Sequence, residues 1–84
     1  MAQNSRKEYT FHPYLLNVVL KRRNFTKNMC IRVIQNHSKR IIQEDGCIRY
    51  YGRLREFPAK WIRVVTLEDD KTIFNIFIDR DFKK

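Results

Sequence analysis

A regular alternation of side chains in the segment Cys47–Arg55 (CIRYYGRLR) is the feature that most constrains the fold. Successive side chains of a β-strand point to opposite faces, so this segment reads as a strand with two different sides. One side is suited to a core, whereas the other interleaves arginine with tyrosine. The two sets are Ile48, Tyr50, Gly52 and Leu54 on the first side, and Arg49, Tyr51 and Arg53 on the second. Arginine binds phosphate bidentately and aromatic rings stack on bases, so the second side is a candidate nucleic-acid surface.

The length of the chain, 84 residues, restricts it to one small domain. Hydrophobic residues make up 43% of the sequence, which is enough for a core, and two Gly and two Pro are too few for a linker-rich chain. We predict a loose polar segment over residues 1–8 and a single folded domain over residues 9–84.

A helical period occupies the first half of the chain. Pro13 favours a helix start, and the helix is expected to end at the cations Lys21, Arg22 and Arg23, which suit a helix C-terminus. Thr26 is a good N-cap for a second helix. The apolar positions of the two helices are Leu15, Leu16, Val19 and Leu20, then Cys30, Val33, Ile34 and His37.

The period then changes to two, and four strands are predicted over residues 40–43, 47–54, 60–67 and 72–79. Asp45–Gly46 is typical of a two-residue hairpin turn, and the other connections are short. The predicted fold class is therefore α+β, with two N-terminal helices packed on a four-stranded antiparallel sheet. Residues 9–11 could add a short extended strand.

Alternation along these strands predicts which residues face the helices and which form an open face. The helices are expected to cover Ile48, Tyr50, Ile62, Val64, Phe74, Ile76 and Ile78. The open face is expected to carry Arg49, Tyr51, Arg53, Trp61, Arg63, Val65, Asn75, Phe77 and Asp79. The strands over 60–67 and 72–79 are apolar on both sides, and a shift by one residue would invert either of them.

Charge and composition restrict the class of partner. The formal net charge is +9, and residues 1–43 contain nine Lys and Arg against one acidic residue. Such a field attracts polyanions, either RNA or an acidic protein, although a merely solvated basic surface is the alternative. No segment is long and apolar enough to suggest a signal peptide or a membrane span, so we expect a cytoplasmic protein without a membrane partner.

Neither a phosphate-binding glycine loop nor a metal-ligand spacing is present in the sequence, and no cofactor is expected. Metal-free cleavage of RNA remains a candidate chemistry, since it needs only proton transfer and stabilisation of negative charge. Arg49, Arg53 and Arg63 are the candidates for charge stabilisation. Candidates for proton transfer are Tyr51, Asp79, His12 and His37. Further nucleic-acid contacts are expected from Arg22, Arg23, Trp61 and Arg80.

Each of these residues also has a structural alternative. Arg63 could stack on Trp61 and pair with Asp79, and Tyr51 could simply pack. His12 could serve at the helix start, and His37 could bind the last carbonyls of its helix.

Several motifs resemble those of a group of small, mostly uncharacterised bacterial proteins. The matching residues are Asp45–Gly46, Arg49–Gly52, Arg63–Val65, Ile73 and Asp79–Lys83. This group is similar in layout to the RelE/ParE toxin superfamily, whose members are small basic α+β proteins that cleave mRNA on the ribosome or poison gyrase, and that antitoxins neutralise. The resemblance implies a toxin-like RNA-binding protein with an antitoxin as partner. The more specific expectation is metal-independent endoribonuclease (mRNA interferase) activity. Arg49, Tyr51, Arg63, Arg80 and His12 correspond to superfamily nuclease residues in type and rough location. The alternative is a non-catalytic basic module that binds nucleic acid or an acidic protein.

Overall fold

A five-stranded mixed sheet with helices packed on it forms the centre of the molecule. The computed structural model describes residues 8–82, so most of the expected loose segment 1–8 lies outside the described residues. The strand order is β1-β5-β4-β3-β2. The bounds are β1 (Thr10–Phe11), β2 (Lys39–Ile42), β3 (Ile48–Gly52), β4 (Ile62–Thr66) and β5 (Thr72–Ile78).

The predicted antiparallel meander is confirmed for β2 to β5, but the expectation of a purely antiparallel sheet is wrong. β1 pairs with β5 in the parallel direction, with Thr10 opposite Thr72 and Phe11 opposite Ile73. The backbone N–H of His12 extends this pairing by donating to the carbonyl of Ile73 at 2.9 Å. Two residues are too short to show a period, so the sequence marked β1 only as an extended segment.

The predicted helix pair is confirmed. The first helix contains a π-helical turn over Leu15–Val19, which continues into α1 (Leu20–Arg23), and α2 spans Lys27–Gln35. Asn24 ends α1 in the left-handed conformation, with φ of 57°. Thr26 caps α2 as expected, because its side-chain oxygen accepts from the N–H of Met29 at 3.2 Å.

The core lies between the helices and one face of the sheet. Of the residues predicted to face the helices, all but Phe74 belong to the core or pack against it. The pairing of β4 with β5 shifts between Val65 and Thr66, so that Thr66 lies opposite Ile73 and Phe74 is an extra residue. Ile73 consequently takes the buried place that alternation assigned to Phe74.

Gly52 allows α2 to approach β3 closely. A Cβ atom at this position would lie 3.3 Å from both Cγ1 and the carbonyl oxygen of Val33, and 3.6 Å from Cα of His37. The two contacts with Val33 are tighter than ordinary van der Waals contacts, and the carbonyl oxygen belongs to the backbone and cannot rotate away, whereas 3.6 Å to His37 is an ordinary contact. The missing side chain therefore sets how closely the helix rests on the covered face.

We expect Gly52→Ala to lower the free energy of unfolding by about 1–3 kcal/mol, because the side chain and the carbonyl oxygen of Val33 must move to admit the added methyl group. Urea denaturation followed by circular dichroism measures this loss. Gln35→Ala, at an exposed position of the same helix, is the matched control and should change the free energy by less than about 0.5 kcal/mol. Equal stability of the two variants would contradict the proposed close packing.

Candidate nucleic-acid interface

The open face of the sheet carries the residues that alternation assigned to it along β3 and β4. Directly paired residues of neighbouring strands share a face, and the register pairs Tyr51 with Arg63 and Arg63 with Phe77. On the other side of β3, Tyr51 pairs with Lys39 of β2. A row of side chains thus crosses four strands on the face opposite the helices.

Three residues at the centre of this row form what we call the arginine cluster: Arg49, Tyr51 and Arg63. The hydroxyl of Tyr51 accepts a hydrogen bond from Nη1 of Arg49 and another from Nη1 of Arg63, each at 3.4 Å. Tyr51 is only 3% exposed, so the packed strand holds this hydroxyl in place. Two guanidinium groups are thereby brought together at one point of the open face.

Further contacts anchor each arginine from outside the cluster. With the Gln43 amide turned so that its oxygen faces the guanidinium, that oxygen accepts from Nε and Nη2 of Arg49 at 2.6 and 2.7 Å. Nε of Arg63 forms an ion pair with Oδ2 of Asp79 at 3.5 Å. The ring of Phe77 lies under Arg63, 4.2 Å from its guanidinium carbon. Both guanidinium groups are therefore preorganised.

Asp79 holds the chain beyond β5 as well as Arg63. Its Oδ1 accepts from the backbone N–H groups of Asp81 and Phe82 at 2.9 and 3.1 Å. The predicted ion pair between Arg63 and Asp79 is confirmed. The ring that Arg63 covers is Phe77, its direct neighbour in the register, whereas Arg53 covers Trp61.

Phe82 is the residue of this surface that the sequence did not reveal. Its ring stacks on Tyr51 with 3.9 Å between centroids and 9° between planes, and it meets Trp61 edge-on at 5.0 Å. The Tyr51 ring, expected as either packing or a stacking platform, is thus already stacked within the molecule. The sequence contained Phe82 within the motif Asp79–Lys83 but gave no indication of the rings that it contacts.

The arginine cluster borders a shallow depression of about 410 Å³ in the surface. Its lining consists of Arg49, Tyr51, Arg63, Asp79, Asp81 and Phe82. Two arginines face two carboxylates there, so the lining itself is balanced in charge. The excess of positive charge on the open face comes from neighbouring residues such as Lys39 and Arg53.

Charge is unevenly distributed along the strand direction. One end of the sheet carries the β2–β3 and β4–β5 turns, which contain Glu44, Asp45, Glu68, Asp69 and Asp70. The two turns are neighbours, because a Cβ on Gly46 would lie 2.7 Å from Oε2 of Glu68. Burial, followed by Asp45 and Glu68, raises the pKa of the Cys47 thiol at this end. The opposite end carries Arg53, Arg55, Lys60 and Arg80 together with Glu56 and Asp81, and Arg49 of the cluster lines a depression with Glu44 and Asp45 of the acidic end.

Two of the predicted contact residues flank the cluster. Arg53 covers the ring of Trp61, with its guanidinium carbon 4.6 Å from the ring centroid. Arg23 extends from α1 to β5, where it donates to the carbonyl of Ile76 at 3.2 Å and lies 5.4 Å from the Phe77 ring centroid. Arg23 therefore protects a part of the β5 edge that lies beyond the pairing with β1.

Arg80 borders a second depression together with Arg23, and Arg22 is exposed at the end of α1.

The two histidines lie away from the arginine cluster. Nδ1 of His12 accepts from the N–H of Tyr14 at 3.0 Å, in the helix-start role that was its structural alternative. His37 lies two residues beyond the end of α2, and its Nδ1 is 2.7 Å from the carbonyl oxygen of Ile34 in that helix, as its alternative predicted. Neither histidine lines the depression at the arginine cluster.

A second polar constellation, Arg40, Tyr50 and Asp70, lies at the covered side of the sheet. The Tyr50 hydroxyl donates to Oδ1 of Asp70 and accepts from Nε of Arg40 at 3.2 Å. Burial, followed by the hydrogen bond to Asp70, raises the pKa of Tyr50. Asp70 has a φ of 60°, and these contacts hold that turn residue against β2 and β3. The hydroxyl of a buried tyrosine such as Tyr50 needs a hydrogen-bond partner, but the sequence alone did not indicate which residues would provide it.

Comparison of the chain with protein-family models, with curated proteins and with solved structures gave no match. Among residues 8–82, no three His, Cys, Asp or Glu side chains are grouped so that they could bind a metal ion. No helix in the same part of the chain has the length and apolarity to cross a bilayer.

We expect Tyr50→Phe and Tyr51→Phe to differ in stability although the chemical change is identical. Loss of the Tyr50 hydroxyl removes a hydrogen bond to a carboxylate, and should lower the free energy of unfolding by about 1–3 kcal/mol. The Tyr51 hydroxyl makes only two long contacts of 3.4 Å, so its loss should cost less than about 1 kcal/mol. Parallel urea denaturations measure both, and a larger loss for Tyr51→Phe would contradict the assignment.

Proposed function

We propose that this protein binds single-stranded RNA through the open face of its sheet, with the arginine cluster contacting phosphate. One observation carries the proposal: the guanidinium groups of Arg49 and Arg63 both donate to the same Tyr51 hydroxyl beside a surface depression. Paired arginines present planar forks of donors that match phosphate oxygens. Because Gln43, Phe77 and Asp79 already hold them, little side-chain freedom is lost on binding.

The net charge and the resemblance both support RNA as the ligand. The formal net charge of +9 favours encounter with a polyanion. We further propose that the α+β domain is RelE/ParE-like, since two helices cover one face of a sheet whose other face carries arginine and tyrosine. In that superfamily RNA is a common substrate and antitoxins are the protein partners.

Arg49→Ala and Arg63→Ala should each weaken binding of a fluorescein-labelled single-stranded RNA and reduce its salt dependence. Each lost phosphate contact should flatten the slope of log K against log salt by about 0.7. Fluorescence anisotropy between low and moderate salt measures both effects. Lys71→Ala is the control with the same charge change, because Lys71 lies in the acidic β4–β5 turn.

Absence of RNA binding by the unchanged protein at low salt would overturn the proposal. Equal losses for Lys71→Ala and the arginine variants would show that only net charge matters. The same assay tests the alternative ligand, an acidic protein such as an antitoxin. Polyglutamate that displaces RNA and binds with the same dependence on Arg49 and Arg63 would favour the protein partner.

Metal-free RNA cleavage is the second candidate function, favoured by the position of the Tyr51 hydroxyl between two cations. In such a cleavage the 2′ oxygen attacks the adjacent phosphorus and the 5′ oxygen leaves, which gives a 2′,3′-cyclic phosphate and a 5′-hydroxyl. Arg49 and Arg63 would stabilise the added negative charge. The Tyr51 hydroxyl would protonate the leaving oxygen, while the proton of the 2′-hydroxyl passes to water.

If the protein cleaves RNA, Tyr51→Phe should lower the cleavage rate by about 10²–10⁴-fold and leave RNA affinity within about threefold. Incubation of bare RNA or translating ribosomes with the protein in EDTA, followed by mapping of 5′ ends, measures cleavage. Intact RNA at a large excess of protein would reject this second function and leave RNA binding standing.

A further inference from the structure

We infer that Asp81 and Phe82 occupy, within the molecule, the site of one nucleotide of a bound RNA. The Phe82 ring would lie where the base stacks, and the Asp81 carboxylate near where the phosphate binds. This inference rests on the proposed function, RNA binding by the open face. It adds a slot on Tyr51 for one base, and it identifies the segment Asp81–Phe82 as an intramolecular competitor for that slot.

The ring geometry defines the slot. Phe82 and Tyr51 are nearly parallel, with 9° between their planes and 3.9 Å between their centroids. Parallel stacking at this separation is also the arrangement in which a nucleobase stacks on an aromatic ring. Tyr51 is thus the floor of the slot, and Trp61, at 73° to Phe82 and 5.0 Å away, is one wall.

Asp81 is the residue that we infer to occupy the position of the phosphate. It lines the same depression as Arg49 and Arg63, next to Phe82 in the chain. The pair therefore places an anionic group beside a stacked ring, as a nucleotide places its phosphate beside its base. Departure of Asp81 would also remove one of the two carboxylates that balance the two arginines in that lining.

The segment can leave the slot without breaking the sheet. The pairing of β4 with β5 ends at Ile62 and Ile78, and the N–H of Asp79 donates to the carbonyl of Trp61 at 2.9 Å. Beyond this point, the backbone N–H groups of Asp81 and Phe82 are bound to the Asp79 carboxylate rather than to a strand. Displacement of the Phe82 ring therefore costs local contacts only.

Phe82 also separates two depressions of the surface. One is the depression at the arginine cluster. The other, also of about 410 Å³, is bordered by Lys60, Trp61 and Arg80 and is distinct from the depression that Arg80 shares with Arg23. Asp79 also lines both depressions, so removal of the ring would widen the connection between them into a path from Arg49 to Arg80 that four cations and two carboxylates border. An RNA strand that follows this path competes with the segment, so the observed affinity is lower than that of the open site.

The decisive experiment compares the unchanged protein with Phe82→Ala and with the double variant Asp81→Asn/Phe82→Ala. Anisotropy of labelled single-stranded RNA at low salt should show at least about fivefold tighter binding for Phe82→Ala and a further gain for the double variant. Trp61 is the one tryptophan of the chain, so its fluorescence reports on the slot. Adenosine 5′-monophosphate should quench it more strongly in Phe82→Ala than in the unchanged protein.

Tyr14→Ala is the matched control, because it removes an aromatic ring that is 47% exposed and lies on the first helix. Its RNA affinity should stay unchanged. If circular dichroism shows that Phe82→Ala does not fold, Phe82→Leu decides the matter, since it keeps an apolar side chain against Trp61 and cannot stack; it should also bind RNA more tightly.

RNA that binds the unchanged protein but binds the folded Phe82 variant equally or more weakly, without added quenching, would overturn the slot and leave the proposed function intact. RNA that binds none of these proteins at low salt would overturn the proposed function itself. Binding by the Phe82 variants alone would overturn the proposed function of the unchanged protein and show that Phe82 blocks a site for RNA.

Discussion

Burial of one face of the sheet under two helices is the constraint on which the rest of the structure depends. The core side chains of β3, β4 and β5 meet the first helix and α2 on this face. Gly52 lets α2 lie directly against β3, at distances that would be crowded by a single methyl group. Because side chains alternate along a strand, burial of this face leaves the alternate side chains of β3 and β4 on the other face. Arg49, Tyr51 and Arg63 are among them, so the arginine cluster forms there.

The open face combines strong local interactions with a nearly balanced local charge. Arg49 and Arg63 are held by an amide, a carboxylate, an aromatic ring and one shared hydroxyl. Such arginines are suited to phosphate, because their orientation is set before a ligand arrives. The carboxylates of Asp79 and Asp81 offset them at short range, whereas the wider surface and the net charge of +9 supply the long-range attraction.

Asp79 connects these two aspects of the surface. One of its oxygens pairs with Arg63, and the other accepts both N–H groups that place Asp81 and Phe82 over the cluster. The same carboxylate thus positions a candidate ligand-binding arginine and the segment that we infer to compete with the ligand. A change at Asp79 would therefore alter the cation and its intramolecular competitor together, which makes it a poor choice for separating their roles.

The sequence by itself determined the helix pair, the meander from β2 to β5 and the face of each β3 residue, because these depend on local periodicity, capping and turn chemistry. Only the tertiary structure decided the parallel pairing of β1, the replacement of Phe74 by Ile73 in the core, the partners of the Tyr50 hydroxyl and the ring that lies under Arg63. The parallel pairing and the bulge depend on how strands that are distant in the chain meet. A two-residue strand is too short to show a period, and an extra residue in a strand leaves no mark in the sequence pattern. The stacking of Phe82 on Tyr51 likewise joins residues 31 positions apart in the chain, so periodicity carried no signal for it. The alternation within Cys47–Arg55 thus gave the open face its arginines, and long-range packing decided what covers the tyrosine between them.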